Sequence, residues 1–149
     1  MQRLALEYLW HSRQRFPEKT AVVDGNKCIS FAELWEQSLL LGQQIKQRVP
    51  ASGHPIVIDM HKSIEAVIAI LAAQWSGNVY VPFDPETPSV RRQRMLETLG
   101  DAHVLSVCDA GFELDGALIS LSGDGSGQID VVEQALRAGL AERKNIDPL

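Results

Sequence analysis

Between Pro55 and Val107 short apolar runs alternate with longer amphipathic segments, and this order restricts the chain to one class of fold. Ile56-Val-Ile-Asp-Met60 is too short for a helix and too continuously apolar for a half-exposed strand, so it reads as a strand covered on both faces. An apolar segment through Trp75 follows, with Ser63 placed to accept the first free helical N–H groups. Asn78-Val-Tyr-Val-Pro82 is a second strand-like run. Thr87-Pro88 then reads as an N-cap with proline at the first helical position, opening a helix that carries Val90, Met95, Leu96 and Leu99. His103-Val-Leu-Ser-Val107 is the third strand. Strand, helix, strand, helix, strand with short connections predicts parallel pairing through right-handed crossovers. The expected class is α/β, with a parallel-sheet βαβαβ core and flanking helices.

A helix and a hairpin precede that core. Leu6, Leu9, Trp10 and Phe16 recur at near-helical spacing, and the Phe16-Pro17 step disfavours further helix, which bounds the first helix at about residues 4–15. Thr20-Ala-Val-Val and Lys27-Cys-Ile-Ser flank Asp24-Gly25-Asn26, a turn sequence that supplies positive φ at little cost. Ser30 and Glu33 have capping-box spacing, so a second helix begins at Phe31. Phe31, Leu34, Trp35, Leu41 and Ile45 keep its apolar stripe, and Pro50 with Ser52-Gly53 ends it.

Past Val107 the pattern weakens. Ala117-Leu-Ile-Ser-Leu121 reads as a strand, 122–127 as a glycine-rich loop, and Ile129, Val132, Leu136 and Leu140 as a last amphipathic helix. Asn145-Ile-Asp-Pro-Leu149 has the polar, proline-containing character of a linker. The expected organisation is therefore 1–54 helix, hairpin and helix, 55–121 α/β core, and 122–149 loop, helix and linker.

Composition excludes several partners. The 149 residues carry a formal charge of −5, and their arginines are scattered except around Arg91, Arg92 and Arg94, so no basic field exists to neutralise a nucleic-acid backbone. The longest mostly apolar run, Ile64 to Trp75, falls short of the roughly 18 to 20 residues a bilayer requires, which argues against a membrane partner. The N-terminal stretch mixes charges through its apolar positions and has no apolar export signal, so a cytoplasmic location is expected. Cys28 and Cys108 stand 80 residues apart in apolar stretches, and isolated cysteines of this kind are expected to be buried free thiols.

No complete active site can be read from the residues. Gly123, Gly125 and Gly127 are followed by Gln128 and Ile129 and not by the Lys and Ser/Thr of a phosphate loop, so they read as a connection. His61 and Lys62 after the first core strand, and Asp84 and Glu86 after the second, are the polar groups best placed for acid/base work, because parallel sheets bind ligands beyond their carboxyl ends. The same four residues suit a solvated connection. A small hydrolase using His61 and Asp84 would lose activity in His61→Ala. His11 and His54 read as surface histidines without partners at metal-ligand spacing. Trp10, Trp35 and Trp75 fall on apolar helix faces as packing residues. Catalytic, cofactor-binding and metal-ligating residues are accordingly assigned none.

Two segments carry a resemblance. Ile29-Ser-Phe-Ala-Glu-Leu34 is similar to the first core motif of the adenylate-forming superfamily, Leu-Thr/Ser-Tyr-x-Glu-Leu. Ile70 to Pro88, with its Tyr80-Val-Pro-Phe-Asp84-Pro core, resembles the second, and Arg91 with Met95-Leu96 matches its continuation. The second motif looks more like those of the amino-acid adenylation domains of nonribosomal peptide synthetases and D-alanine ligases than like those of fatty acyl-CoA ligases. Trp75-Ser76 departs from the family's Lys-Ala before Gly77. The tail Asn145 to Leu149 resembles the segment directly before the family's phosphate loop.

The resemblance implies that residues 1–149 form a fragment of the N-terminal subdomain of an ATP-dependent, AMP-forming ligase. The parent would use ATP and Mg²⁺ to make an aminoacyl-adenylate and then load a carrier-protein thiol. The family's nucleotide-binding groups lie downstream of Leu149, so the isolated chain is expected to be inactive and without a cofactor of its own. Its partners would be the remainder of the adenylation domain and, for the parent, the carrier protein. An apolar face left uncovered could instead be satisfied in a homodimer. The alternative reading is a self-contained small α/β binding or interaction module without enzymatic activity.

Overall fold

The computed structural model describes residues 5–121. The chain opens with helix α1 (Ala5–Arg15), then the hairpin strands β1 (Thr20–Asp24) and β2 (Lys27–Ser30), whose antiparallel register pairs Asp24 with Lys27 around Gly25-Asn26. Helix α2 (Phe31–Arg48) starts on the expected capping box. Ser30 Oγ accepts the Glu33 N–H at 3.2 Å and the Glu33 carboxylate accepts the Ser30 N–H at 3.0 Å.

The core follows as β3 (Pro55–Asp59), α3 (Ile64–Trp75), β4 (Val79–Phe83), α4 (Ser89–Leu99) and β5 (His103–Cys108), closed by β6 (Gly111–Leu114) and β7 (Ala117–Ile119). Ser63 caps α3 by accepting the Ala66 N–H at 3.1 Å. At its other end the Gly77 N–H reaches Gln74 O and the Asn78 N–H reaches Ala73 O, each at 3.1 Å, a closing pair that requires the left-handed Gly77 (φ 82°).

The five-stranded sheet has the order β4-β3-β5-β6-β7. Strand β3 pairs in parallel with β4 and β5, as the βαβαβ pattern requires, whereas β5–β6 and β6–β7 are antiparallel. The sheet is therefore mixed. Strand β6 lies in the stretch where the sequence pattern is weakest, and its Phe112 and Leu114 are buried. The strand expected over 117–121 ends at Ile119.

Helices α2 and α3 share one core with a face of the sheet, and α1 packs against both of them. Trp35, Leu39, Leu41 and Ile45 of α2 and Ile68, Ala69 and Ala72 of α3 join Ile56, Ile58, Leu105, Phe112, Leu114 and Ile119 in one core. Each such fully buried Leu or Ile contributes about 1.5–3 kcal/mol relative to exposure. Alternation along β3 turns Asp59 to the opposite face, where Arg92 of α4 bonds it. Crossing first to β4 and then back over β3 to β5 places α3 and α4 on opposite faces, as two right-handed crossovers demand.

Two local expectations are corrected. Pro88, not Thr87, occupies the N-cap of α4. The Thr87 N–H is committed to Asp84 O at 3.0 Å in the preceding turn, and the first helical bond runs from the Arg92 N–H to Pro88 O. Cys28 and Cys108 are both exposed. In β2 it is Ile29 that faces the core, so alternation sends Cys28 to solvent, and Cys108 is the last residue of β5. The glycine-rich loop 122–127, the helix expected from the spacing of Ile129 to Leu140, and the linker 145–149 lie outside the described residues.

Candidate functional site

Connections after β3, β4 and β5 all leave from the carboxyl end of the sheet, and the strand order reverses between β3 and β5. Open α/β sheets form a crevice at such a switch point. A cleft of about 540 Å³ lies there, with Asp59, Met60, His61, Glu65, Arg92 and Ser106 among its lining residues.

Its polar floor is the ion pair between Arg92 and Asp59, both half-buried, reinforced by a bond from Arg92 Nη1 to Pro85 O at 3.2 Å. Ser63, also at the cleft, is occupied on both sides: its hydroxyl donates to His61 O at 3.0 Å while accepting the Ala66 N–H. His61 is exposed. The site thus offers two carboxylates, Asp59 and Glu65, against one guanidinium that already holds two partners. This charge balance does not fit a triphosphate, which needs free cations or convergent backbone N–H groups.

Of the four polar residues that the sequence suggested as an acid/base set, His61 lines the cleft, while Lys62, Asp84 and Glu86 do not. Asp84 serves its own turn, its Oδ1 accepting the Glu86 N–H at 3.0 Å and its carbonyl accepting the Thr87 N–H. Trp35 is fully buried, and Trp10 and Trp75 are partly buried against the core. His11 packs edge-on against the Trp10 ring at 4.9 Å. His54 is half-buried beside His103, and since His11 is half-buried as well, the reading of both as surface residues is corrected. Gly123, Gly125 and Gly127 lie outside the described residues.

The Asp59–Arg92 pair escapes a reading of the sequence alone. Its only local signal is a carboxylate ending an otherwise apolar strand, and its partner is 33 residues away. Among the described residues no three His, Cys, Asp or Glu side chains converge as a metal site, and no helix is long and apolar enough to cross a membrane.

The motif residues are thereby placed in local structure: Ser30 and Glu33 cap α2, Gly77 closes α3, and Asp84 to Pro88 shape the approach to α4. The family model described as "AMP-binding enzyme" matches residues 9–144. The chain belongs to the AMP-binding enzyme family. Within this family it is similar to tyrocidine synthase 3 of Brevibacillus parabrevis, 36% identical over 91 residues, which is 61% of this chain and 1% of that protein.

Among solved structures, the N-terminal subdomain of Klebsiella oxytoca NpsA superposes with a TM-score of 0.65 at 25% identity, covering 70% of this chain and 28% of that one. The nonribosomal peptide synthetase FmoA3, solved with α-methyl-L-serine-AMP bound, gives a TM-score of 0.66 at 27% identity over 70% of this chain and 12% of that one. The chain thus corresponds to part of the N-terminal subdomain of an adenylation domain of the nonribosomal peptide synthetase type. It spans less than a third of the NpsA subdomain it matches.

Proposed function

We propose that residues 1–149 are the scaffold portion of an ATP-dependent amino-acid adenylating ligase, which forms an aminoacyl-AMP with Mg²⁺ and passes the acyl group to a carrier-protein thiol in the cytoplasm. The observation that carries this reading is the family match over residues 9–144, coupled to motif residues that cap and turn the chain. The α-methyl-L-serine-AMP bound to FmoA3 supports an amino acid as the activated acid. Boundaries at 1–54, 55–121 and 122–149 divide this portion into its N-terminal helix–hairpin–helix, its sheet, and the passage toward the phosphate loop. The remainder of the adenylation domain is its partner and supplies every group that grips nucleotide. In isolation the chain is inactive.

Amino-acid-dependent ATP–pyrophosphate exchange tests this. The polypeptide read through from Leu149 into a Ser/Thr/Gly-rich, lysine-containing loop exchanges, and residues 1–149 do not. Micromolar ATP binding by residues 1–149 in a calorimeter would sink the proposal. A stop codon directly after Leu149, together with a monomer that exposes no apolar face, would favour the self-contained module instead.

A further inference from the structure

At the end of the sheet opposite the cleft, two histidines and a carboxylate come together that neither the family motifs nor the cleft employ. His54 directly precedes β3, and His103 opens β5. The parallel register sets His103 against Ile56, so His54, two residues earlier, shares a face with His103 on the diagonal, within reach of large side chains. Their rings meet edge to face, with centroids 6.0 Å apart and planes at 71°. The His54 backbone is held by the bond from its N–H to Asn78 Oδ1 and by the Val79 N–H on its carbonyl, each 3.0 Å.

Asp115 fixes the other ring. It sits in the β6–β7 turn with φ 52°, its N–H donating to Val104 O and its Oδ1 accepting the Val104 N–H, both at 2.8 Å. Its Oδ2 lies 2.7 Å from His103 Nδ1. An ionised carboxylate only accepts, so Nδ1 of His103 carries the proton of this bond and Nε2 is the ring nitrogen that Asp115 does not engage. This is the carboxylate–imidazole arrangement that orients histidine ligands of metal ions and raises their basicity.

We propose that His54 and His103 form a two-imidazole site for a divalent ion of the zinc class, with Asp115 as the positioning residue and water completing the coordination. Imidazole nitrogen selects zinc, nickel and copper, whereas magnesium and calcium require oxygen ligands. Two imidazoles with centroids 6.0 Å apart lie within the span that one ion with nitrogen–zinc bonds of about 2.0–2.1 Å can bridge, and His103 retains 30% side-chain exposure for entry. Because Asp115 acts through His103, the protein supplies two ligands. Such a site binds more weakly than closed sites of three or four. Bound ion would tie the start of β3 to the start of β5 and raise thermal stability with ion concentration.

The test is a titration of the untagged full chain with zinc chloride, followed through the imidazole carbon-bound proton resonances. The chain has 4 histidines, so His11 and His61 serve as internal controls. His54 and His103 shift together, saturate at one equivalent and return with excess chelator, while the controls stay in place. Asp115→Asn tolerates the left-handed turn and keeps an oxygen for Val104, and it weakens the apparent affinity about tenfold. Either His54 or His103 unmoved at saturating zinc, or all four histidines drifting in parallel, overturns the site. Wild-type affinity in Asp115→Asn overturns the role given to the carboxylate. If His103→Ala fails to fold, the wild-type titration still decides.

Discussion

A Cβ built on Gly42 would lie 2.8 Å from Cε3 of Trp75, so α2 and α3 meet where a hydrogen atom fits and a methyl group does not. Trp75 stands where the family resemblance has lysine, and its ring lies under the Lys46 ammonium, 6.0 Å from Nζ to the centroid. Alanine improves the intrinsic propensity of a mid-helix position by roughly 0.5–1 kcal/mol. Overpacking costs about 1–3 kcal/mol. Gly42→Ala should therefore destabilise the chain by a net ~1–2 kcal/mol in urea unfolding. In a Trp75→Ala background the same substitution should turn neutral or stabilising. Equal effects in both backgrounds would show that the indole does not set the limit.

The reciprocal bonds between Ser30 and Glu33 satisfy two N–H groups at the start of α2, the longest helix among the described residues. Ser30→Ala should cost about 1 kcal/mol. Glu33→Gln keeps the acceptor and should cost less, since only its favourable charge near the helix N-terminus is lost. Chemical denaturation of both variants checks the order. A Ser30→Ala protein as stable as the parent would mean that water replaces the cap.

What was legible in the sequence was what neighbours in sequence decide. The capping box and the turn at Gly25-Asn26 each lie within a few residues and were readable, as was the βαβαβ alternation. Strand β6 was not, because four residues with two apolar positions give too short a pattern, although Asp115-Gly116 is a strong two-residue hairpin signal. Tertiary pairs were invisible for a different reason. Asp59 meets Arg92, and His54 meets His103, only because β3 lies between β4 and β5, and that order follows from the packing of the crossovers.

Helix α4 has no fully buried residue, so its attachment rests heavily on Arg92, which joins Asp59 and Pro85 O. Arg92→Met leaves the Asp59 carboxylate without its cation and should cost about 1–3 kcal/mol. Amide hydrogen exchange should accelerate across α4 while α2 stays protected. Arg92→Lys retains the charge but not the two-pronged geometry, and should fall between. Unchanged protection of α4 in Arg92→Met would assign its docking to the half-buried Met95, Leu96 and Leu99 instead.

Exposure of Cys28 and Cys108 makes a direct chemical test of strand orientation. On the hairpin, Cys28 is paired with Val23, itself 68% exposed, while Ile29 beside it is buried. A one-residue slip in register would exchange the two faces. Both thiols of the native chain should therefore react with an aromatic disulfide reagent without denaturant, and each of Cys28→Ser and Cys108→Ser should remove one equivalent. Neither substitution removes a core contact, so stability should stay within about 0.5 kcal/mol of the parent. If Cys28 reacts only after unfolding, Ile29 is the residue facing solvent, and the hairpin sits on α2 in the opposite register.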